Sequence, residues 1–231
     1  MNHYTKSWSI YKAHSESFLD DLDYYLEFTR GYKSLVTFAG YGRVANFLSE
    51  NGVDISANEL SLDFKKFIKL PDEKIQIGNV LNYSSSVKFD RIFAAYNSFC
   101  LLLDDGDVRQ MISVFEKHLS LKGQISLSYY HPDFWHLSAP YSFEHEGRVV
   151  DYIPTYDLEQ RNNQRGIWKD KYQVDGEEFE HEYKVRIYEN ASDLEKMISH
   201  TKLKIVNQIR DYNNPKIVEP GWIEYILELS E

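Results

Sequence analysis

The sequence predicts an α/β fold built on a mostly parallel seven-stranded sheet, with helices on both faces and an antiparallel β insertion after the fifth strand. Two observations carry that expectation. Short apolar runs with β-branched members alternate with segments of helical period from Leu35 to Tyr130, which is the pattern of βαβ units. From Glu144 to Tyr188 the pattern changes to polar and aromatic alternation, with Asp175-Gly176 as a hairpin turn between two runs.

The elements follow in order. The first 30 residues read as helix, because Phe18, Leu19, Leu22, Tyr25, Leu26 and Phe28 recur at near-helical spacing with acids between them. Gly31-Tyr32-Lys33 breaks that helix, and Ser34 to Ala39 is a short buried strand. After Gly40-Tyr41-Gly42, the positions Val44, Ala45, Phe47 and Leu48 have helical period and stop at Asn51-Gly52. Val53 to Ala57 is a second strand. Ser61 to Leu70 reads as a helix with Ser61 as its N-cap and Pro71 as its stop. Lys74 to Gly78 and Asp90 to Ala95 are strands three and four. Val108 to Leu119 is a helix with Met111, Ile112, Phe115 and Leu119 on one face; Gly123 closes it, and Gln124 to Tyr130 is strand five. Ile167 to Val174 and Phe179 to Ile187 make the hairpin of the insertion. Ser192 to His200 is a helix opened by a Ser192–Glu195 capping box. Leu203 to Ile209 and Trp222 to Leu229 close the chain as strands, the last antiparallel.

These 231 residues suit one elaborated domain: a helical cap (1–33), a ligand-binding core (34–143), the insertion (144–188) and a closing part (189–231). Charge narrows the partners. Lys and Arg number 26 against 36 Asp and Glu, a net −10, and the largest basic cluster is Lys65-Lys66 with Lys69. Such a chain repels phosphate backbones, so no nucleic-acid partner is expected. No run approaches the ~20 apolar residues of a membrane helix, and Met1 to Lys6 has no apolar core of a secretory signal. Cys100, the single cysteine, makes neither an internal disulfide nor a thiolate cage, so a reducing cytoplasm is the expected compartment and an inert core thiol its expected state. His3, His14, His136, His145 and His181 have no metal-ligand spacing, and no metal is expected.

The chemistry begins at the first strand. Gly40-Tyr41-Gly42 lies between a strand and a helix, where glycine lets backbone approach a ligand and the helix start offers free N–H groups. Glu59 follows 19 residues after Gly40, at the end of the second strand, where an acid can accept ribose hydroxyls. The ligand then lies at the carboxyl ends of the strands. A dinucleotide is the alternative ligand, since Ala45 stands where its fingerprint tolerates a third glycine. With Arg43 present and no phosphate-lining glycine, a nucleoside without phosphates fits better.

At these residues the chain resembles the class I S-adenosylmethionine-dependent methyltransferases. Phe38-Ala39-Gly40-Tyr41-Gly42-Arg43-Val44-Ala45 resembles their first motif, and Glu59-Leu60-Ser61 their second-strand acid. Gly78-Asn79-Val80 resembles the segment beside the adenine. Phe89-Asp90-Arg91-Ile92 followed by Tyr96-Asn97-Ser98-Phe99 resembles the fourth-strand motif, and His118 to Gln124 the turn before strand five. The hairpin-rich insertion, then Arg186-Ile187-Tyr188 running into a helix, resembles the small-molecule branch that includes the sugar and the glycine or sarcosine N-methyltransferases. The resemblance implies a Rossmann-like fold, S-adenosylmethionine as cofactor, and methyl transfer to a nitrogen or oxygen of a small acceptor. It implies that Phe38, Ala39, Gly40, Tyr41, Gly42, Glu59, Leu60, Asn79, Val80, Tyr96 and Asn97 bind the cofactor, and that Tyr11 caps the site as a catalytic candidate, its alternative being core packing of the first helix.

Three positions depart from the pattern. Val36 stands where the first motif begins with an acid, Asn79 replaces an acid near the adenine amino group, and Tyr41 replaces a small residue. They keep open a cofactor-binding relative without turnover, and beside it a nicotinamide-dependent oxidoreductase. His131, just after the fifth strand, is the candidate base because its ordinary pKa suits neutral pH. Arg186 is read either as an anchor for an anionic acceptor or as an ion-pair residue. The insertion, with Tyr152, Tyr156, Trp168, Tyr172 and Tyr183, is expected to shape the acceptor pocket or to pair two copies as a homodimer.

Overall fold

A computed structural model describes residues 3–230, with side chains from Trp8 onward; the first two positions of the expected N-terminal helix, Met1 and Asn2, lie outside the described residues, as does Glu231. The chain runs α1 (His3–Ser17), α2 (Leu22–Thr29), β1 (Ser34–Thr37), α3 (Arg43–Glu50), β2 (Ile55–Glu59), α4 (Leu62–Lys65), β3 (Ile75–Ile77), β4 (Phe89–Ala94), α5 (Asp105–His118) and β5 (Leu119–Tyr130). Then come β6 (Tyr141–His145), β7 (Arg148–Asp157), β8 (Arg165–Val174), β9 (Glu177–Arg186), α6 (Ala191–Ile198), β10 (Leu203–Arg210) and β11 (Trp222–Leu229).

Seven strands form one sheet in the order β10-β11-β5-β4-β1-β2-β3, with β11 antiparallel to both neighbours and the remaining pairs parallel. The expected fold class is the one observed. Central strands β1 and β4 are buried almost throughout, as parallel strands covered on both faces must be. One face packs on α2 through Tyr25, whose ring stacks on Phe93 at 4.7 Å. The other meets the approach to α6, where the Tyr129 hydroxyl accepts the Tyr188 backbone N–H.

The insertion is a second, four-stranded antiparallel sheet, β6-β7-β8-β9, beginning at Tyr141 rather than Glu144. Asp175 and Gly176 both have positive φ, which is the turn that matches strand twist in a two-residue hairpin. Helix α1 lies on this sheet: Ile10 packs among Val150, Tyr152, Tyr172, Val174 and Phe179.

Four local expectations are corrected. The N-terminal helix is two helices, because the Phe18 carbonyl and the Asp21 carboxylate both turn to the Arg43 guanidinium at the bend between them. The helix expected over Ser61 to Leu70 keeps only Leu62–Lys65. There Asn46 takes the Phe67 carbonyl and the Lys69 N–H, which a continuing helix would need. Helix α6 is capped by Asn190, not by Ser192; Asn190 Oδ1 accepts from both the Ser192 N–H and its hydroxyl. Gly123 does not close α5 but lies inside β5, where the register against β4 slips.

Candidate active site

Strained backbone gathers at the carboxyl ends of two neighbouring strands. After β1, Phe38, Gly40 and Gly42 have φ of 55°, 55° and 81°; after β4, Tyr96 and Asn97 have φ of 54° and 58°. Left-handed conformations at non-glycine residues cost about 1–3 kcal/mol each and concentrate where a ligand is held. Asn97 Oδ1 accepts the Tyr130 N–H, so the β4 turn is tied to the end of β5.

The two glycines of the loop do different things. A Cβ on Gly42 would stand 3.1 Å from both Asn46 Oδ1 and Ile68 Cα, so this glycine lets α3 pack. A Cβ on Gly40 would meet nothing within 4 Å, so that glycine faces open space. Glu59 fixes the loop: its Oε2 accepts the Gly40 N–H at 2.6 Å and its Oε1 the Ser61 N–H at 2.8 Å. Both oxygens thus hold backbone, and their remaining lone pairs are what a ribose would meet. Buried Asn58 donates to the Gln76 and Gly78 carbonyls, which sets the β3 turn beside Glu59.

An aromatic roof stands over this edge. The Tyr11 ring meets Tyr41 of the glycine loop at 5.9 Å, and also His181 and Tyr183 of β9. Tyr96 stacks on Trp222 at 5.3 Å, and Trp222 on Tyr130 at 4.7 Å. Within the roof lies Asp170 of β8, 5% exposed, whose Oδ1 accepts from Trp168 Nε1 at 2.8 Å and from the Tyr152 hydroxyl at 2.9 Å. Burial pushes its carboxyl up to about 6, against the pull of those donors. Burial, and next the Asp170 charge, push the Tyr11 hydroxyl up to about 12. Buried His14 hydrogen-bonds Tyr172 at 2.6 Å, and burial lowers it to about 4, so its ring is neutral near pH 7.

The same architecture recurs in solved structures. No family model and no curated protein matches the chain. An S-adenosylmethionine-dependent methyltransferase from Clostridium acetobutylicum is 18% identical, with a TM-score of 0.72 over the whole of both chains. DesVI of Streptomyces venezuelae is 14% identical, with a TM-score of 0.77, again over both whole chains. CalS10 of Micromonospora echinaspora, an amino pentose methyltransferase solved with S-adenosylmethionine, is 12% identical with a TM-score of 0.75, covering 96% of this chain and 97% of that one. The chain has the S-adenosylmethionine-dependent methyltransferase fold.

On this methyltransferase fold the remaining expected residues separate. Leu60 is 68% exposed beside Glu59 and open to a base, whereas Val80 is built into the core. Asn79 is exposed, and its Oδ1 already accepts the Leu81 N–H, so one of its two acceptor positions is used by the turn. Val36 is a core residue between Ala57 and Phe93. Arg43 is bound bidentately to fully buried Asp21 and is committed there. Arg186 is likewise committed: it is buried and paired with Asp105 at 2.6 Å, which corrects its reading as an acceptor anchor.

His131 is not brought to the roof. Tyr130 and its partner Trp222 share one face of the sheet; Tyr129 and Ile223 share the other. Alternation puts His131 on the Tyr129 side, where it lines a hollow with Phe134, Glu189, Ile223 and Tyr225. Its ring nitrogens lie 3.3 Å from the Glu189 carbonyl and the Asp133 backbone nitrogen. Its reading as the acceptor's base is corrected accordingly. Asp170, His14 and Glu219 are the functional candidates that the sequence reading passed over.

Proposed function

We propose that this chain transfers a methyl group from S-adenosylmethionine to a nitrogen or oxygen of a small molecule. The observation that carries this is the loop of Gly40, facing open space and pinned by Glu59, under a roof of aromatic rings. The residues fit the cofactor: Glu59 and Leu60 suit its ribose and base, and Tyr96, Tyr11 and Tyr41 its sulfonium end, since tyrosine faces attract cations. Bound there, S-adenosylmethionine supplies an electrophilic methyl group; the chain aligns an acceptor with it and keeps water out. Similar structures, an amino pentose methyltransferase and the sugar N-methyltransferase KedS8 among them, support a small acceptor. So does the net charge of −10, against nucleic acid.

The division of labour follows: residues 34–143 hold the cofactor, while the insertion with residues 1–33 forms the acceptor pocket. Pairing of two copies through the edge strands of the insertion is the accompanying proposal, checked by mass in solution. Buried Cys100 suits a reducing cytoplasm, and no helix among the described residues is long and apolar enough to cross a membrane. The competing reading is binding without turnover, which Val36 favours because the family's acid is replaced by a core side chain.

Thermal unfolding tests the proposal. A hundredfold excess of S-adenosylmethionine or S-adenosylhomocysteine over its dissociation constant stabilises by about 2.7 kcal/mol. Stabilisation by nicotinamide cofactors instead would overturn the proposal. Binding with no methylated product from a panel of small amines and alcohols would establish the non-catalytic reading.

A further inference from the structure

Asp170 presents an unusual arrangement. It is a buried carboxylate whose partners are all neutral: the Trp168 indole and the Tyr152 hydroxyl, both on Oδ1. The Tyr183 hydroxyl, also neutral, stands beside the same carboxylate, and no Lys, Arg or His among the described residues forms an ion pair with Asp170. A buried charge without a counter-ion is costly, which is why buried carboxylates are normally paired. Asp21, fully buried, follows that rule with Arg43 on both oxygens, whereas Glu224, among the hydroxyls of Tyr25 and Ser126, shares with Asp170 the lack of an ion-pair partner.

The surroundings repeat the message. Around Asp170 stand Tyr152, Tyr172, Trp168, Tyr183 and Tyr11, rings whose faces attract cations. The Tyr183 hydroxyl is buried without a hydrogen-bond partner. A second carboxylate, Glu219 in the loop before β11, is held above its usual range by its own burial and by Asp170. Arg43, the cation near Tyr96, is already neutralised by Asp21. The roof is therefore an aromatic enclosure with net negative charge.

We infer that Asp170, ringed by Tyr152, Tyr172, Trp168, Tyr183 and Tyr11, is the binding residue for a positively charged nitrogen of the acceptor, and that it selects ammonium compounds over neutral ones. This rests on the methyl-transfer reading for the word acceptor; the cation site itself stands on the geometry of the roof. Asp170 lies opposite His181 on β9 and Pro154 on β7, in the middle of the second sheet. The insertion's contribution to specificity is thereby given to one side chain.

The test uses choline and its uncharged isostere 3,3-dimethyl-1-butanol as probes, on the full chain with and without saturating S-adenosylhomocysteine. Binding is read by calorimetry and by tryptophan fluorescence, since Trp168 donates to the carboxylate. Choline is expected to bind at least about tenfold more tightly than the alcohol, in the presence of S-adenosylhomocysteine as well as without it. Asp170→Asn keeps an acceptor for Tyr152 and Trp168, and should abolish the preference without changing S-adenosylhomocysteine affinity; Asp170→Glu should restore part of it. Equal affinities for the two probes, binding of neither, or a preference that survives in Asp170→Asn would overturn the inference. Mutual exclusion of choline and S-adenosylhomocysteine would assign the carboxylate to the donor's own cationic end and overturn it too. Should S-adenosylhomocysteine fail to bind, the methyl-transfer reading falls, while the probes on the free protein still decide whether Asp170 is a cation site. If Asp170→Asn does not fold, Tyr152→Phe, which removes one donor from the same oxygen, should alter choline affinity and leave S-adenosylhomocysteine binding unchanged; no effect on choline would count against the site.

Discussion

Replacing Glu59 by glutamine changes one atom and separates two roles. In the native chain each carboxylate oxygen accepts a backbone N–H, from Gly40 at 2.6 Å and from Ser61 at 2.8 Å. A glutamine offers one oxygen and one NH2, so one N–H then faces a donor, and the surviving bond loses its charge. Losing one charge-assisted hydrogen bond removes about 1.5–3 kcal/mol, and weakening the other brings the total to about 2–4 kcal/mol. For a chain of this size that is a fall in Tm of about 5–15 °C. The glycine loop loses its brace, so S-adenosylhomocysteine affinity should fall at least about tenfold by calorimetry. Leu60→Ala is the control: Leu60 is exposed, and its stability change should stay within about 0.5 kcal/mol. A Glu59→Gln protein that melts within about 1 °C of the wild type and binds the cofactor equally well would refute both the brace and the ribose contact.

Further outcomes follow from the same geometry. Glu224 is fully buried, accepts from Tyr25 and Ser126, and is pushed by burial up to about 8 from an ordinary 4.5. A raised carboxyl favours the folded state below its unfolded pKa, and that stability is lost as pH climbs from about 4.5 through about 8. Urea denaturation at acid and alkaline pH should therefore show Glu224→Gln gaining several kcal/mol over the wild type on the alkaline side; parallel pH curves for the two proteins would show that Glu224 does not titrate in this way. Gly42→Ala should destabilise the fold through contact with Asn46 and Ile68 as well as through its left-handed backbone, whereas Gly40→Ala carries only the left-handed strain of about 1–3 kcal/mol and should also weaken cofactor binding; thermal melts beside calorimetry distinguish the two. His131→Ala should change turnover less than about threefold, because its ring lies on the far face of the sheet; a loss of 10²-fold or so would restore it as the base.

Periodicity and order made the scaffold legible. The alternation of strands with helices from Leu35 to Tyr130 stands in the structure as β1 to β5, and the Asp175-Gly176 turn as the β8–β9 hairpin. What periodicity misjudged was decided by side chains distant in sequence. Asn46 unwinds the helix expected at Phe67 to Leu70, and Arg43 bends the N-terminal helix at Asp21. At the site, the glycine loop and Glu59 were readable because both are local signals, a turn and the end of a strand. Asp170 was readable too, by phase: Gly166, Trp168, Asp170, Tyr172 and Val174 alternate with Arg165, Ile167, Lys169, Lys171 and Gln173, and a lone acid on the apolar phase is a buried charge. His131 was misplaced because proximity to a strand end does not give the face, which a count from Trp222's partner Tyr130 does.

Helix α1 has a consequence for the chain during synthesis. Its docking surface is the second sheet, and the His14–Tyr172 bond joins residues 158 positions apart. At about 5–20 residues per second, the first helix waits roughly 8–30 s after translation before its partners leave the ribosome. Throughout that interval Ile10 and the rings of Trp8 and Tyr11 have no sheet to cover them, whereas β1 to β4 have all their neighbouring strands once Tyr130 is made, and β5 waits longer still for β11. The first segment made is thus among the last to be seated. Nascent chains arrested before Tyr172 should carry a protease-sensitive N-terminus, and released full-length chains should not.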